Sequence, residues 1–263
     1  MDLNKELETL FEKYKKIEQK SLKIDMVPDN KFLVVRLDGF KVTKNYLKDV
    51  VINKKLTNAM NCSINELFKR FRTYFTNEYS SSIIGTFYAN DEVSIILSNK
   101  MNLSKDTYGR NLEIKRVMKV CTIFAGAISS FMTEKMDEVL YFDARPIILN
   151  QNELGEYIYS RQLVASRYAY WKILRLNDIK GWEKDFYKKN LLNSKNKVKD
   201  IGKLPDANNI INSYSFNIIN DNLKAILVSY NLFEKYNNKD EIQKIIDKKI
   251  TTITKSREKI MKT

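Results

Sequence analysis

The sequence predicts an α+β fold: one sheet covered by helices, of the split βαβ, ferredoxin-like kind. Three observations carry this. Residues 32–37 (Phe-Leu-Val-Val-Arg-Leu) form a short, nearly unbroken apolar run, the pattern of a strand buried on both faces. Residues 81–88 and 93–97 are two β-rich runs around Ala89-Asn90-Asp91-Glu92, the pattern of a tight hairpin. Helical periodicities over 53–76 and 110–135 fall between these runs and the next strands.

Each element follows in order. Residues 3–22 read as a charged helix, with Leu7, Leu10, Phe11, Tyr14 and Ile17 at helical spacing. Pro28-Asp29-Asn30 is a turn signal, and the first strand closes at Asp38-Gly39. The helix over 53–76 keeps its period through Leu56, Met60, Ile64, Leu67, Phe71 and Phe75. That over 110–135 does so through Val117, Val120, Phe124, Ile128 and Phe131. Two short strands, 139–142 and 146–149, flank Asp143-Ala144-Arg145, and 152–176 is helical again. Residues 1–176 are expected to form the catalytic domain. Residues 177–263 form a basic C-terminal region packed on it, with a Lys-rich stretch over 172–203 and a charged helix over 238–261.

Composition narrows the chemistry. The chain has 263 residues, 43% hydrophobic content and a formal charge of +14, so it can bury a sizeable core and favours a polyanionic partner such as nucleic acid. It contains no histidine, which removes the usual zinc sites and any Ser–His or Cys–His nucleophile. Cys62 and Cys121 are expected to be reduced and buried. The first residues lack an apolar signal core, and no run of about 18 uninterrupted apolar residues is present, so the expectation is a cytoplasmic chain with no membrane partner.

Chemistry therefore rests on carboxylates, cations and a hard metal. Asp38 closes the buried strand, and Asp91 sits at the hairpin tip with Glu92 behind it. Neighbouring strands of a split βαβ sheet bring such carboxylates to one edge. There a pair can hold two divalent ions about 3.5–4 Å apart. Oxygen ligands suit Mg²⁺, which draws the rest of its shell from water and substrate phosphates. Taken singly, Asp-Gly and Asn-Asp are ordinary turn dipeptides.

Four segments, in order, resemble the tRNA(His) guanylyltransferase family and its bacterial-type relatives. Val35-Arg36-Leu37-Asp38-Gly39-Phe40 is similar to the first metal motif. Tyr88-Ala89-Asn90-Asp91-Glu92-Val93-Ser94 is similar to the second, in which the family usually has Ser at position 90. Phe142-Asp143-Ala144-Arg145 and Tyr157 to Arg161-Gln162 resemble two later signatures, and Tyr14 to Glu18 fits the helix before the first strand. The chain departs from the family at Val164 and at Ser166-Arg167-Tyr168-Ala169.

The resemblance implies a palm-like catalytic domain that adds nucleotides to the 5′ end of a tRNA in the 3′-to-5′ direction, for end repair or tRNA(His) guanylylation. ATP or GTP activates that end, two Mg²⁺ ions serve as cofactors, and the assembly is a homotetramer. By position, Asp38, Asp91 and the Gly39 carbonyl are implied metal ligands, with Glu92 as a supporting acid. Thr43, Lys44, Arg110, Arg145 and Arg161 are implied nucleotide or phosphate contacts, Arg110 at a helix start. Asp143 with Arg145 reads equally as an internal ion pair. Two other readings stay open: a palm that binds RNA without catalysis, and a palm-type nucleotide cyclase.

Overall fold

The computed structural model describes residues 3–42, 50–70, 72–75, 78–81, 83–89, 91–98, 102–105, 111–113, 116–176, 179–181, 183–184, 193–194, 196–197, 214–219, 225–228 and 239–260. Helix α1 (Leu3–Ser21) precedes strand β1 (Phe32–Gly39). Helix α2 (Val50–Arg70) leads through β2 (Arg72–Phe75) and β3 (Glu78–Ser81) to the hairpin of β4 (Ile83–Ala89) and β5 (Glu92–Leu97). Then come β6 (Asn102–Lys105), β7 (Asn111–Glu113), α3 (Val117–Met136) and β8 (Phe142–Leu149). A single 3₁₀ turn (Gln151–Glu153) starts α4 (Leu154–Leu176); β9 (Tyr214–Ile219), β10 (Ala225–Val228) and α5 (Lys239–Ile260) follow.

Six strands make one antiparallel sheet in the order β10-β9-β4-β5-β1-β8. The connection β1–α2–β4 skips one position, and β5 returns into the gap, which is the split βαβ arrangement. Each sheet face carries its own core. Alternation along β1 sends Phe32 and Val34 to the face covered by α1, α4 and α5, where they meet Leu7, Leu10, Leu154, Tyr157, Ile242 and Ile246. Leu33, Val35 and Leu37 go to the opposite face, against Met60 and Ile64 of α2 and Phe124 and Ile128 of α3. Full burial of each such aliphatic side chain stabilises by roughly 1.5–3 kcal/mol. Among the described residues α3 is long and apolar enough to cross a bilayer, but its buried side chains, Val117, Val120, Phe124, Ile128 and Phe131 among them, pack into this second core.

Several expectations need correction. The predicted helix over 53–76 runs from Val50 to Arg70, and Phe75 belongs instead to β2, which pairs with β3. Phe71 and Phe75, four apart in sequence, imitate a helical period there. The helix expected from 110 begins at Val117, because 111–113 pair with β6 and Arg116 bridges Met26. Arg110 therefore does not open that helix, and it lies outside the described residues. The two short strands around 143–145 are one strand, β8, since every residue from 142 to 149 pairs with β1. Pro146 is tolerated because β8 is an edge strand, with one side free of strand partners among the described residues. Cys62 is exposed, while Cys121 is buried and its thiol is pushed up to about 11 by that burial.

Candidate active site

The site grows from the same alternation that builds the core. Beyond Val34, the next residues of β1 on the α1/α4 face are Arg36 and Asp38. The register places Asp38 between Glu92 of β5 and Asp143 of β8, an acidic row across three strands. One step inward, Arg36 lies between Ser94 and Arg145, a basic and polar row. Ser94 Oγ and the buried Tyr157 hydroxyl of α4 are 2.8 Å apart and hydrogen-bonded, and burial pushes the Tyr157 phenol up to about 12.

Asp91 joins the acidic row from the hairpin turn. The Gly39 N–H donates to the Asp91 carbonyl at 3.0 Å, tying the end of β1 to the hairpin. The approach is close: a Cβ at position 39 would stand 3.2 Å from the Asp91 Cβ and 2.6 Å from Val42 Cγ2. Glycine at 39 is therefore a packing requirement. Burial raises the Asp38 carboxyl to about 6; Asp91, Glu92 and Asp143 push the same way, and Arg145 opposes them. Asp38 and Asp91 thus share one electrostatic environment.

The cations around this row are mostly paired. Arg161 of α4 donates to both carboxylate oxygens of Glu92, through Nε at 2.7 Å, and Arg36 Nε stands 3.8 Å from the same carboxylate. Arg36 also pairs with Glu18 of α1 at 3.0 Å. Arg145 bonds Asp143 at 2.9 Å and lies 3.9 Å from both Asp38 and Glu18. Helix α1 is held against α4 by Lys13 and Tyr14, which both donate to Glu156.

A cavity of about 670 Å³ opens over these rows, within the range of small-molecule sites. Lys15 and Glu18 of α1 line one side and Ser160, Arg161, Val164 and Arg167 of α4 the other. Arg36, Asp38, Asp91, Glu92 and Arg145 form its floor.

Solved structures share this architecture. A bacterial tRNA(His) guanylyltransferase-like protein in complex with GTP matches with a TM-score of 0.56 at 19% identity, over 90% of this chain and 99% of that one. A bacterial protein of the same description in complex with ATP matches with a TM-score of 0.55 at 17% identity, over 89% of this chain and 98% of that one. The chain has the tRNA(His) guanylyltransferase-like fold. No protein-family model matches the sequence, and no curated protein does.

On this guanylyltransferase-like fold, Asp38, Gly39, Asp91, Glu92, Arg145 and Arg161 are drawn together. Glu92 and Arg161 are each other's principal partners. Thr43 and Lys44, like Arg110, lie outside the described residues. Sequence reasoning passed over Arg36, Glu18 and Arg167 as site residues. Arg36 carried a signal, a charge inside a buried strand; the other two emerge only from the packing of α1 and α4. Among the described residues, no group of three or more Asp, Glu or Cys side chains is arranged to hold a metal ion unaided. The two neighbouring carboxylates of Asp38 and Asp91 are hard oxygen donors of the kind that suit Mg²⁺, which takes most of its octahedral shell from water and phosphate.

Proposed function

We propose that this chain is a nucleotidyltransferase of the tRNA(His) guanylyltransferase family, bacterial-type branch, adding nucleotides to the 5′ end of a tRNA in the 3′-to-5′ direction. The observation that carries the reading is the approach of Asp38 and Asp91 at the floor of a cavity ringed by guanidinium groups. The motif resemblance and the fold shared with proteins solved with ATP and GTP support it.

Asp38, Asp91 and the Gly39 carbonyl would hold Mg²⁺. The ions would neutralise triphosphate charge and lower the pKa of the attacking hydroxyl. Phosphoryl transfer otherwise needs positioning and charge stabilisation. Arg145 can exchange its neighbouring carboxylates for phosphate oxygens, which a guanidinium grips bidentately. Arg161, through its pair with Glu92, fixes the hairpin that carries Asp91. Thr43, Lys44 and Arg110 are further nucleotide contacts in this proposal. Action in the cytoplasm and a homotetrameric assembly belong to it too, and sizing by light scattering tests the latter.

The test is to incubate the chain with Mg²⁺, each labelled triphosphate and a tRNA lacking its first nucleotide, bearing a 5′-mono- or triphosphate, and to sequence the 5′ ends. Mg²⁺-dependent incorporation is expected, falling by roughly a hundredfold or more in Asp38→Ala and Asp91→Ala. Unimpaired incorporation by both variants would overturn the proposal. A product formed from nucleotide alone would point to a cyclase, and salt-sensitive RNA binding without turnover to a non-catalytic palm.

A further inference from the structure

We propose that Arg167 binds a phosphoryl group of the substrate in the cavity that Asp38 and Asp91 line. Arg167 lies on α4 and reaches that cavity with only 8% of its surface exposed. Its guanidinium stands 5.0 Å from the Trp171 ring centre and 5.4 Å from that of Tyr168. The two rings meet edge to face, 5.5 Å apart at 83°. Among the described residues its Nε has no hydrogen-bond partner, and no carboxylate pairs with it.

The contrast with its neighbours gives this weight. The other three guanidinium groups of the cavity each have an acid: Glu18 for Arg36, Asp143 for Arg145 and Glu92 for Arg161. A buried cation without a counter-charge is costly. Ring faces offset part of that cost and fix the planar group, and they leave its N–H edge for an anion. Arg167 also falls in the segment, 164–169, where the sequence leaves the family pattern. Val164 and Ala165, neither of which can hydrogen-bond through its side chain, line the cavity just before it on the same helix.

The choice of phosphate rests on the nucleotide-transfer reading. Its two sources are the triphosphate of a free nucleotide and the 5′-phosphate of an RNA end.

Binding to the full chain separates them. Wild type, Arg167→Gln and Arg167→Lys would be titrated with inorganic tripolyphosphate, and with one RNA hairpin carrying either a 5′-phosphate or a 5′-hydroxyl. In Arg167→Gln, we expect at least a tenfold loss either of tripolyphosphate affinity or of the preference for the 5′-phosphate. Arg167→Lys, which keeps the charge and loses the fork, is expected to lie between. Loss on tripolyphosphate assigns the nucleotide, and loss of the 5′-phosphate preference assigns the RNA end. Affinities within twofold of wild type in every arm overturn the inference, as does a wild type indifferent to both phosphates. If Arg167→Gln does not fold, Arg167→Lys decides by the same criterion. Arg167-dependent binding in a protein that transfers no nucleotide would defeat the enzymatic reading and leave this site standing. Normal transfer with unaltered binding would do the reverse.

Discussion

At neutral pH the Asp38 carboxylate opposes folding. Its carboxyl titrates near 6 in the folded chain, against 3.8 for the ordinary side chain. A raised carboxyl pKa favours folding only while the group is protonated. The benefit is complete below about 4 and lost as pH rises through about 6. Above that, the charge opposes folding. Asp38→Asn should therefore stabilise the fold at pH 8, by about 1 kcal/mol after allowance for solvent screening of this partly exposed group, and so raise its melting temperature. The gain should vanish near pH 4, and scanning calorimetry across that range checks it. Arg161 predicts the opposite behaviour. It and Glu92 are both largely buried, so Arg161→Met strands a carboxylate with only the more distant Arg36. The expected loss is about 3 kcal/mol in urea unfolding, with much of it recovered in the Arg161→Met, Glu92→Gln double variant.

At the scale of elements, helix contacts set the walls of the cavity. Gly155 lies in the first turn of α4, where α5 packs against it. A Cβ there would fall 2.8 Å from the Gln243 backbone, and the Gly155 N–H donates to Gln243 Oε1 at 2.7 Å. Gly155→Ala should cost about 1–3 kcal/mol, because neither backbone can yield; urea unfolding measures it. Elements with a single dominant period were legible. Strand β1 announced itself by its apolar run, the β4–β5 hairpin by its tip, and α1 by its stripe. The hairpins β2–β3 and β6–β7 were not, because strands of three or four residues beside a long helix are too short to show a period of their own. Strand β9 was missed although Tyr214, Phe216 and Ile218 alternate with Ser215 and Asn217. The carboxylate pair was legible because turn residues ending two strands must lie at a sheet edge. The ion pairs were not, because Glu18 and Arg161 meet their partners only through packing distant in sequence.

At the scale of the whole molecule, the formal charge is +14, while the cavity floor carries the carboxylates of Asp38, Asp91 and Glu92 beside Arg36 and Arg145. Long-range attraction should therefore bring RNA to the surface even where the floor carries no metal. Affinity for tRNA is expected to fall tenfold or more between about 50 and about 200 mM salt, in Asp38→Ala as in the parent chain. Filter binding at stepped salt measures this; a flat salt profile would contradict it. The chain's strand order also fixes when the cavity can exist. Its floor is laid down by β1, β4, β5 and β8, but one wall is the opening helix and the facing wall is α4. Leu7 and Leu10 of that opening helix share one core with Leu154 and Ile242. Helix α1 thus finds its packing partners only once α4 and α5 have also been made. Helices far apart in sequence must meet before the cavity exists, so its appearance marks a late stage of folding.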